Sequence, residues 1–287
     1  MSVCYPLIIN KSNLVPGSTN TYQYNFSNNV DFGNLDIALG AASIWYSWRN
    51  ITATKANNQF QIIHPTLAGT TTLSLTIPDG GYEIADINNF LRYYLISNGY
   101  YIQNNTTGEQ VVYAKFQVNP SIYAIEFISY PLPTSLPSGY TAGSAITFPA
   151  TPKGPQLVVN QAAFGIVLGF VIGTFPSSQP TVLTTVTSTV TPVVSDVSNV
   201  IITLDSANNP FAGNSKVIHS ISPAGYAYAS LIKSDPYQLA WTPQQTGWRQ
   251  SITIQIVDQN LLPIIQYDTD LTIKLLIRFR DQTQINR

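Results

Sequence analysis

The chain has 287 residues, a formal net charge of −1, and only 9% Asp, Glu, Lys and Arg, against roughly 25% in an average globular chain. That balance argues against sequence-independent nucleic-acid binding, which needs clustered Lys and Arg to displace counterions, and it leaves a monomer open to self-association. The single cysteine, Cys4, excludes an intrachain disulfide, so the fold rests on its own core, which a chain of this length can bury.

Polarity comes instead from Asn, Gln, Ser and Thr. Two readings fit: a neutral polar surface of the extracellular β type, or a surface covered by partner subunits. The 17 Tyr, 12 Phe and 4 Trp suit the second, because interface cores are enriched in aromatics and depleted in charge. The stretch from Met1 to Pro6 lacks a basic region and a long apolar region, so no secretion signal is expected. The sequons at Asn10, Asn25, Asn50, Asn104 and Asn105 then read as chance in an Asn-rich chain.

In chain order, residues 1–20 read as an extended arm punctuated by Pro6, Pro16 and Gly17. Tyr22, Tyr24 and Phe26 alternate with polar residues, as a half-buried strand requires. The run 35–48 is longer and ends in Trp45-Tyr46-Ser47-Trp48. Short strands are expected around 60–62 and 73–77, the second closed by Pro78-Asp79-Gly80-Gly81. Ile84, Ile87, Leu91 and Leu95 recur at helical spacing, and Asn98-Gly99 supplies a stop. The helix is amphipathic and needs a sheet to cover it.

β-type patterns return at 111–113 and 116–118, then at 123–127, with Tyr123, Ile125 and Phe127 on one face. Residues 131–155, rich in Pro, Ser, Thr and Gly, read as a long exposed loop or small insertion. The apolar run Ala162–Gly173 is too short to span a membrane, which takes about 20 residues. Its Gly165, Gly169 and Gly173 weaken a helix, so a buried Gly-rich strand is expected. Further strands are expected at 197–204, 216–221, 227–231 and 251–257. A final strand follows, the clearest of all, in which Leu271, Ile273, Leu275, Ile277 and Phe279 face one way. The pattern predicts an all-β fold: one jelly-roll sandwich over 21–287 with one short helix.

Catalytic material is sparse. His64 and His219 are far apart and lie in no metal-binding spacing, and Cys4 sits on the predicted arm. No GxSxG elbow, P-loop or GxGxxG is present. Carboxylates that could pair for glycoside hydrolysis are Asp79, Glu83, Asp86, Glu109, Glu126, Asp205, Asp258, Asp268 and Asp270. Most sit at expected turns or at the helix start, where Asp and Glu act as caps. Asp205, Asp268 and Asp270 are also the candidates for a calcium site. The basic residues Lys274, Arg278, Arg280 and Arg287 read as a solvated strand face. No enzyme activity, cofactor, metal or specific nucleic acid is expected. Trp45 reads as core. Trp241 and Trp248 flank a Pro/Gln/Gly loop and are the candidate intersubunit contacts.

Several stretches in order carry a resemblance. They are Leu35-Asp-Ile-Ala-Leu39, Ile44-Trp-Tyr-Ser-Trp-Arg-Asn-Ile51, Ile77-Pro-Asp-Gly-Gly-Tyr-Glu-Ile-Ala-Asp-Ile87, Val167-Leu-Gly-Phe170, Asp196-Val-Ser-Asn-Val-Ile-Ile202 and Leu271-Thr-Ile-Lys-Leu-Leu-Ile-Arg278. Over about 30–280 this order resembles the penton, or minor capsid, proteins of the virophage and Maverick/Polinton lineage. The resemblance implies a jelly-roll subunit forming pentamers at icosahedral vertices, beside a double jelly-roll major capsid protein. It places the protein in the virion, assembled inside the host cell, and implies no catalytic residue. The alternative is a carbohydrate-binding or host-attachment jelly roll, such as a trimeric spike or lectin-like module, suggested by aromatics and Asn/Asp loops that suit sugars. A vertex protein can also touch the host surface.

Overall fold

The computed structural model describes residues 3–280. The chain divides into two compact units. The first is built from the described residues up to Trp48 and from Val197 onward; the second is the contiguous stretch Arg49–Asp196.

The first unit opens with β1 (Cys4–Asn10), β2 (Thr21–Asp31) and β3 (Leu35–Trp45). The second unit runs through β4 (Gln59–Thr66), β5 (Gly69–Thr76), α1 (Ile84–Ser97), β6 (Ile102–Asn104), β7 (Gln110–Val111), β8 (Ala114–Asn119) and β9 (Ala124–Ser129). It continues with β10 (Tyr140–Ala142), β11 (Gln156–Val159), α2 (Ala162–Leu168), β12 (Gly173–Phe175) and β13 (Thr184–Thr187). The chain re-enters the first unit with β14 (Val200–Leu204), β15 (Val217–Ile221), β16 (Leu231–Ser234), β17 (Thr242–Pro243), β18 (Trp248–Val257) and β19 (Leu271–Phe279). The pairings between these strands are antiparallel.

In the first unit one sheet has the order β1-β19-β3-β16, with the two-residue β17 beside β3, and the other has the order β15-β14-β18-β2. Leaving β17 aside and counting in chain order, the sheets read first-eighth-third-sixth and second-seventh-fourth-fifth. That is the wiring of a jelly roll, two interlocked Greek keys. Period-2 alternation explains why the sheets face each other. Leu271, Ile273 and Leu275 of β19 are buried while Thr272 and Lys274 are exposed, and Ile252, Ile254 and Ile256 of β18 repeat the pattern. Both inner faces meet in one core with Tyr22, Ile37, Ile44 and Ile202.

Three expectations change here. The stretch expected as an extended arm at 1–20 is part of a sheet over Cys4–Asn10: β1 pairs with β19 from Cys4↔Arg278 to Asn10↔Thr272 and buries Leu7 and Ile9. Trp45 is half-buried rather than core, because the inward parity of this run falls on Ala42, Ile44, Tyr46 and Trp48. The strand expected at 227–231 is a turn with Ala229 at φ 61, and β16 starts at Leu231. The second unit lies in sequence between the third and fourth strands of the jelly roll.

The second unit contains the sheets β12-β11-β4-β5, β13-β9-β8 and β10-β6-β7. Helix α1 buries Ile84, Ile87, Leu91 and Leu95, and Asp86 accepts a hydrogen bond from the Glu83 N–H at 2.9 Å to start it. Its apolar face joins a core rich in rings, where Phe60 and Phe164 stack at 4.9 Å between centroids. The segment 131–155 is held in place. Its β10 pairs with β6, Leu132 and Ile146 are buried, and Ala145 and Ile146 donate to the Gly99 carbonyl. Gly99 has φ 78, and a Cβ there would collide with Ser144. The run expected as a Gly-rich strand is the helix α2, and Gly165 is required in it because a Cβ would meet the Phe170 carbonyl. Tyr123, expected on an inward face, sits in the turn before β9 at φ 51 and is 70% exposed.

Candidate functional site

The carboxylates singled out from the sequence are mostly engaged in structure. Asp79 accepts from the Ala53 N–H at 2.8 Å, and Asp258 accepts from the Asn260 and Leu262 N–H groups, both at 2.8 Å. Glu126 accepts from Asn119 Nδ2 at 2.7 Å across the β8–β9 hairpin. Asp205 accepts from the Thr253 N–H at 2.9 Å and lies 3.8 Å from Arg249. Asp268 accepts from the Asp270 N–H at 2.9 Å, closing a turn. Asp268 and Asp270 lie near Tyr22, whose hydroxyl is raised first by burial and then by these charges. Among the described residues no cluster of three or more His, Cys, Asp and Glu is placed to hold a metal ion, and Asp205, Asp268 and Asp270 form none.

The histidines are separated as well. His64 is buried on β4, with its ring 4.8 Å from that of Tyr100. Its Nδ1 lies 2.9 Å from the Pro65 carbonyl oxygen, which can only accept, so Nδ1 carries the proton. Burial pushes its pKa down to about 4. His219 Nε2 lies 3.0 Å from Ser234 Oγ, and burial lowers this group too.

The basic residues of β19 are not a free solvated face. Asp36 on β3 is buried and receives Arg280 Nε at 3.0 Å and Arg278 Nη2 at 3.3 Å. The Arg278 guanidinium also lies 4.1 Å from the Trp241 ring centroid, so one face of that indole already has a partner within the chain. Lys274 is exposed, and Arg287 lies outside the described residues. Of the two candidate contact tryptophans, Trp241 is half-buried and Trp248 is 71% exposed. Sequence reasoning passed over other exposed rings and aliphatics of the first unit, Phe211 at 97%, Tyr237 at 99% and Ile265 at 60%, and Phe279, expected on one face with Leu271, Ile273 and Leu275, is 62% exposed.

A cavity of about 410 Å³ lies in the second unit between α1 and the β7–β8 strands. Asn88 and Arg92, one helical turn apart on α1, form one wall. Glu109, Tyr113 and Lys115 form another, closed by Tyr130. The Asn88 Oδ1 accepts from the Phe116 N–H at 2.9 Å and so ties the helix to β8. Tyr130 donates its backbone N–H to the Tyr113 carbonyl at 2.9 Å, which sets the two tyrosines side by side just before β8 and just after β9. Lys115 Nζ sits 5.8 Å from the Tyr130 ring centroid. Neither Arg92 nor Lys115 takes part in the ion pairs among the described residues. Of these residues only Glu109 stood out in the sequence; the i, i+4 pair Asn88/Arg92 on the polar face of α1 was the available signal.

No helix among the described residues is long and apolar enough to cross a membrane. No family model and no curated protein matches the chain. Among solved structures, the chain is similar to the mavirus penton protein over 97% of its own length and 99% of that chain, at 10% identity and a TM-score of 0.45. A truncated AlyQ with CBM32 and alginate lyase domains aligns over 98% and 100% of the two chains at 10% identity and a TM-score of 0.10. The jelly-roll assignment rests on the strand wiring of the first unit.

Proposed function

We propose that this chain is a structural virion protein, a penton-type minor capsid subunit that closes into a homopentamer at an icosahedral vertex. The observation that carries this reading is the set of exposed apolar side chains on the jelly-roll unit, Phe211, Tyr237, Trp248, Ile265 and Phe279, in a chain with 9% charge. Large exposed rings of this kind are the usual anchors of protein interfaces. A fivefold ring needs two different patches on each subunit, since its contacts are heterologous. The jelly-roll wiring and the ordered stretches quoted above support the same reading. In it the outer partner is a double jelly-roll major capsid protein, the location is the capsid vertex after assembly inside the host cell, and the chain performs no catalysis, binds no specific nucleic acid and needs no cofactor.

Native mass spectrometry of the purified chain, with negative-stain imaging of the same sample and of a mixture with the major capsid protein, tests the proposal. Fivefold rings in either sample are expected. A stable trimer, or a chain that stays monomeric in both, would overturn it.

A further inference from the structure

We propose that the cavity of the second unit is a binding site for an acidic sugar, a pyranose carrying one carboxylate, with Arg92 and Lys115 as the anion-binding pair. The inference goes beyond the vertex reading and does not depend on it.

In a chain where 9% of residues are charged, three charged side chains line one cavity: Arg92, Lys115 and Glu109. The two cations have no carboxylate partner among the described residues. Their sum with Glu109 is one positive charge, the complement of a single carboxylate. A phosphomonoester carries close to two negative charges and is repelled by a carboxylate in the wall, so Glu109 disfavours nucleotides and sugar phosphates.

The other lining groups suit a polyhydroxylated ring. Asn88 has its Oδ1 committed to the Phe116 N–H, which leaves its NH₂ as a donor. Glu109 is acceptor-only when ionised, a match for sugar hydroxyl donors. Tyr130 adds ring surface for the apolar face of a pyranose. Lys115 is positioned by the Tyr130 ring below it. A volume of about 410 Å³ falls within the range of small-ligand sites, roughly 300–1,000 Å³. Arg92 offers the planar fork that meets a carboxylate through two parallel bonds.

Saturation-transfer NMR and calorimetry on the full chain, with methyl glucuronide and N-acetylneuraminic acid as probes and methyl glucoside as the neutral control, test the site. Saturable binding of at least one acidic sugar is expected at millimolar or lower concentration, with none for the glucoside. Arg92→Gln and Lys115→Gln should each weaken it by about tenfold, the loss of one charge-assisted contact. Lys233→Gln, on the exposed face of β16 in the first unit, should change nothing. Circular dichroism melts confirm that the variants are folded. Absence of saturable binding up to roughly 10 mM, equal binding of the glucoside, unchanged affinity in both cavity variants, or tighter binding of adenosine monophosphate would each overturn the proposal.

Discussion

In the first unit, strands run to 11 residues in β2 and β3, and the core between the two sheets is largely Ile, Leu and Val. In the second, strands run from 2 to 8 residues, three small sheets and two helices share the work, and the centre is a cluster of Phe60, Phe116, Phe127 and Phe164. The first unit is assembled from segments on either side of the second; the second is contiguous in sequence. Long regular strands bury one face and send other rings outward, as Trp248 and Phe279 are sent. Short irregular elements meet at angles and leave concavities, and the cavity lined by Arg92 and Lys115 belongs to the irregular unit. A regular scaffold presenting surface and an irregular unit holding a cavity is the usual division of labour between framework and site.

The sharpest test of that contrast is removal of β1. Deleting residues 1–10 takes away the partner of β19 and the buried Leu7 and Ile9. The first unit should lose at least about 4 kcal/mol, read as a fall in one calorimetric transition while hydrogen exchange in α1 stays protected. An arm that orders only on a partner would leave both unchanged. Next come paired core truncations. Phe127→Ala should cost the second unit about 4 kcal/mol and Ile254→Ala should cost the first about 3 kcal/mol, both positions being fully buried. Denaturant unfolding followed by probes in each unit should show each loss in its own unit; equal loss in both would mean the chain unfolds as one.

Acid should separate the units further. His64 in the second unit is held neutral by burial down to about pH 4, whereas in the unfolded chain it titrates near 6.5. The unfolded state therefore binds the extra proton first. Stability is complete above about pH 6.5, falls as pH drops toward 4, and levels off below. The total loss is about 3 kcal/mol, and His64→Gln should flatten that slope without altering the first unit's pH profile. The smallest effect concerns the Asp36 cluster. Asp36→Asn removes the carboxylate from Arg278 and Arg280, whose side chains are about 30% exposed, so the loss should be about 2 kcal/mol rather than the larger figure for a wholly buried pair. A thermal shift confined to the first unit checks it.

Much of the first unit was legible in the sequence because its signals are local. The parity of Leu271, Ile273 and Leu275, and of Ile252, Ile254 and Ile256, gave strand and inward face together. Helix α1 was legible through its spacing and its Asn98-Gly99 stop. What escaped depends on partners distant in the chain. Nothing near Cys4 announces Arg278 as its neighbour, and nothing at Trp48 or Val197 marks the edges of an inserted unit. Helix α2 was hidden because Gly165 answers to the crowding of Phe170 and not to helix propensity. The cavity was hidden for the same kind of reason: Arg92 and Lys115 line it together because α1, tied to β8 through Asn88, packs beside a strand distant in sequence.

The order of the strands has a consequence for synthesis. β3 pairs with β16, β17 and β19, and each of these follows the whole of the second unit. During translation the first three strands leave the ribosome with their apolar faces uncovered, and the second unit is complete before any partner of β3 exists. At roughly 5–20 residues per second, that wait lasts tens of seconds, with Ile37 and Ile44 open to solvent or to a neighbouring copy. A nascent chain of this kind is a natural client for a holding chaperone until its eighth strand slides between the first and the third.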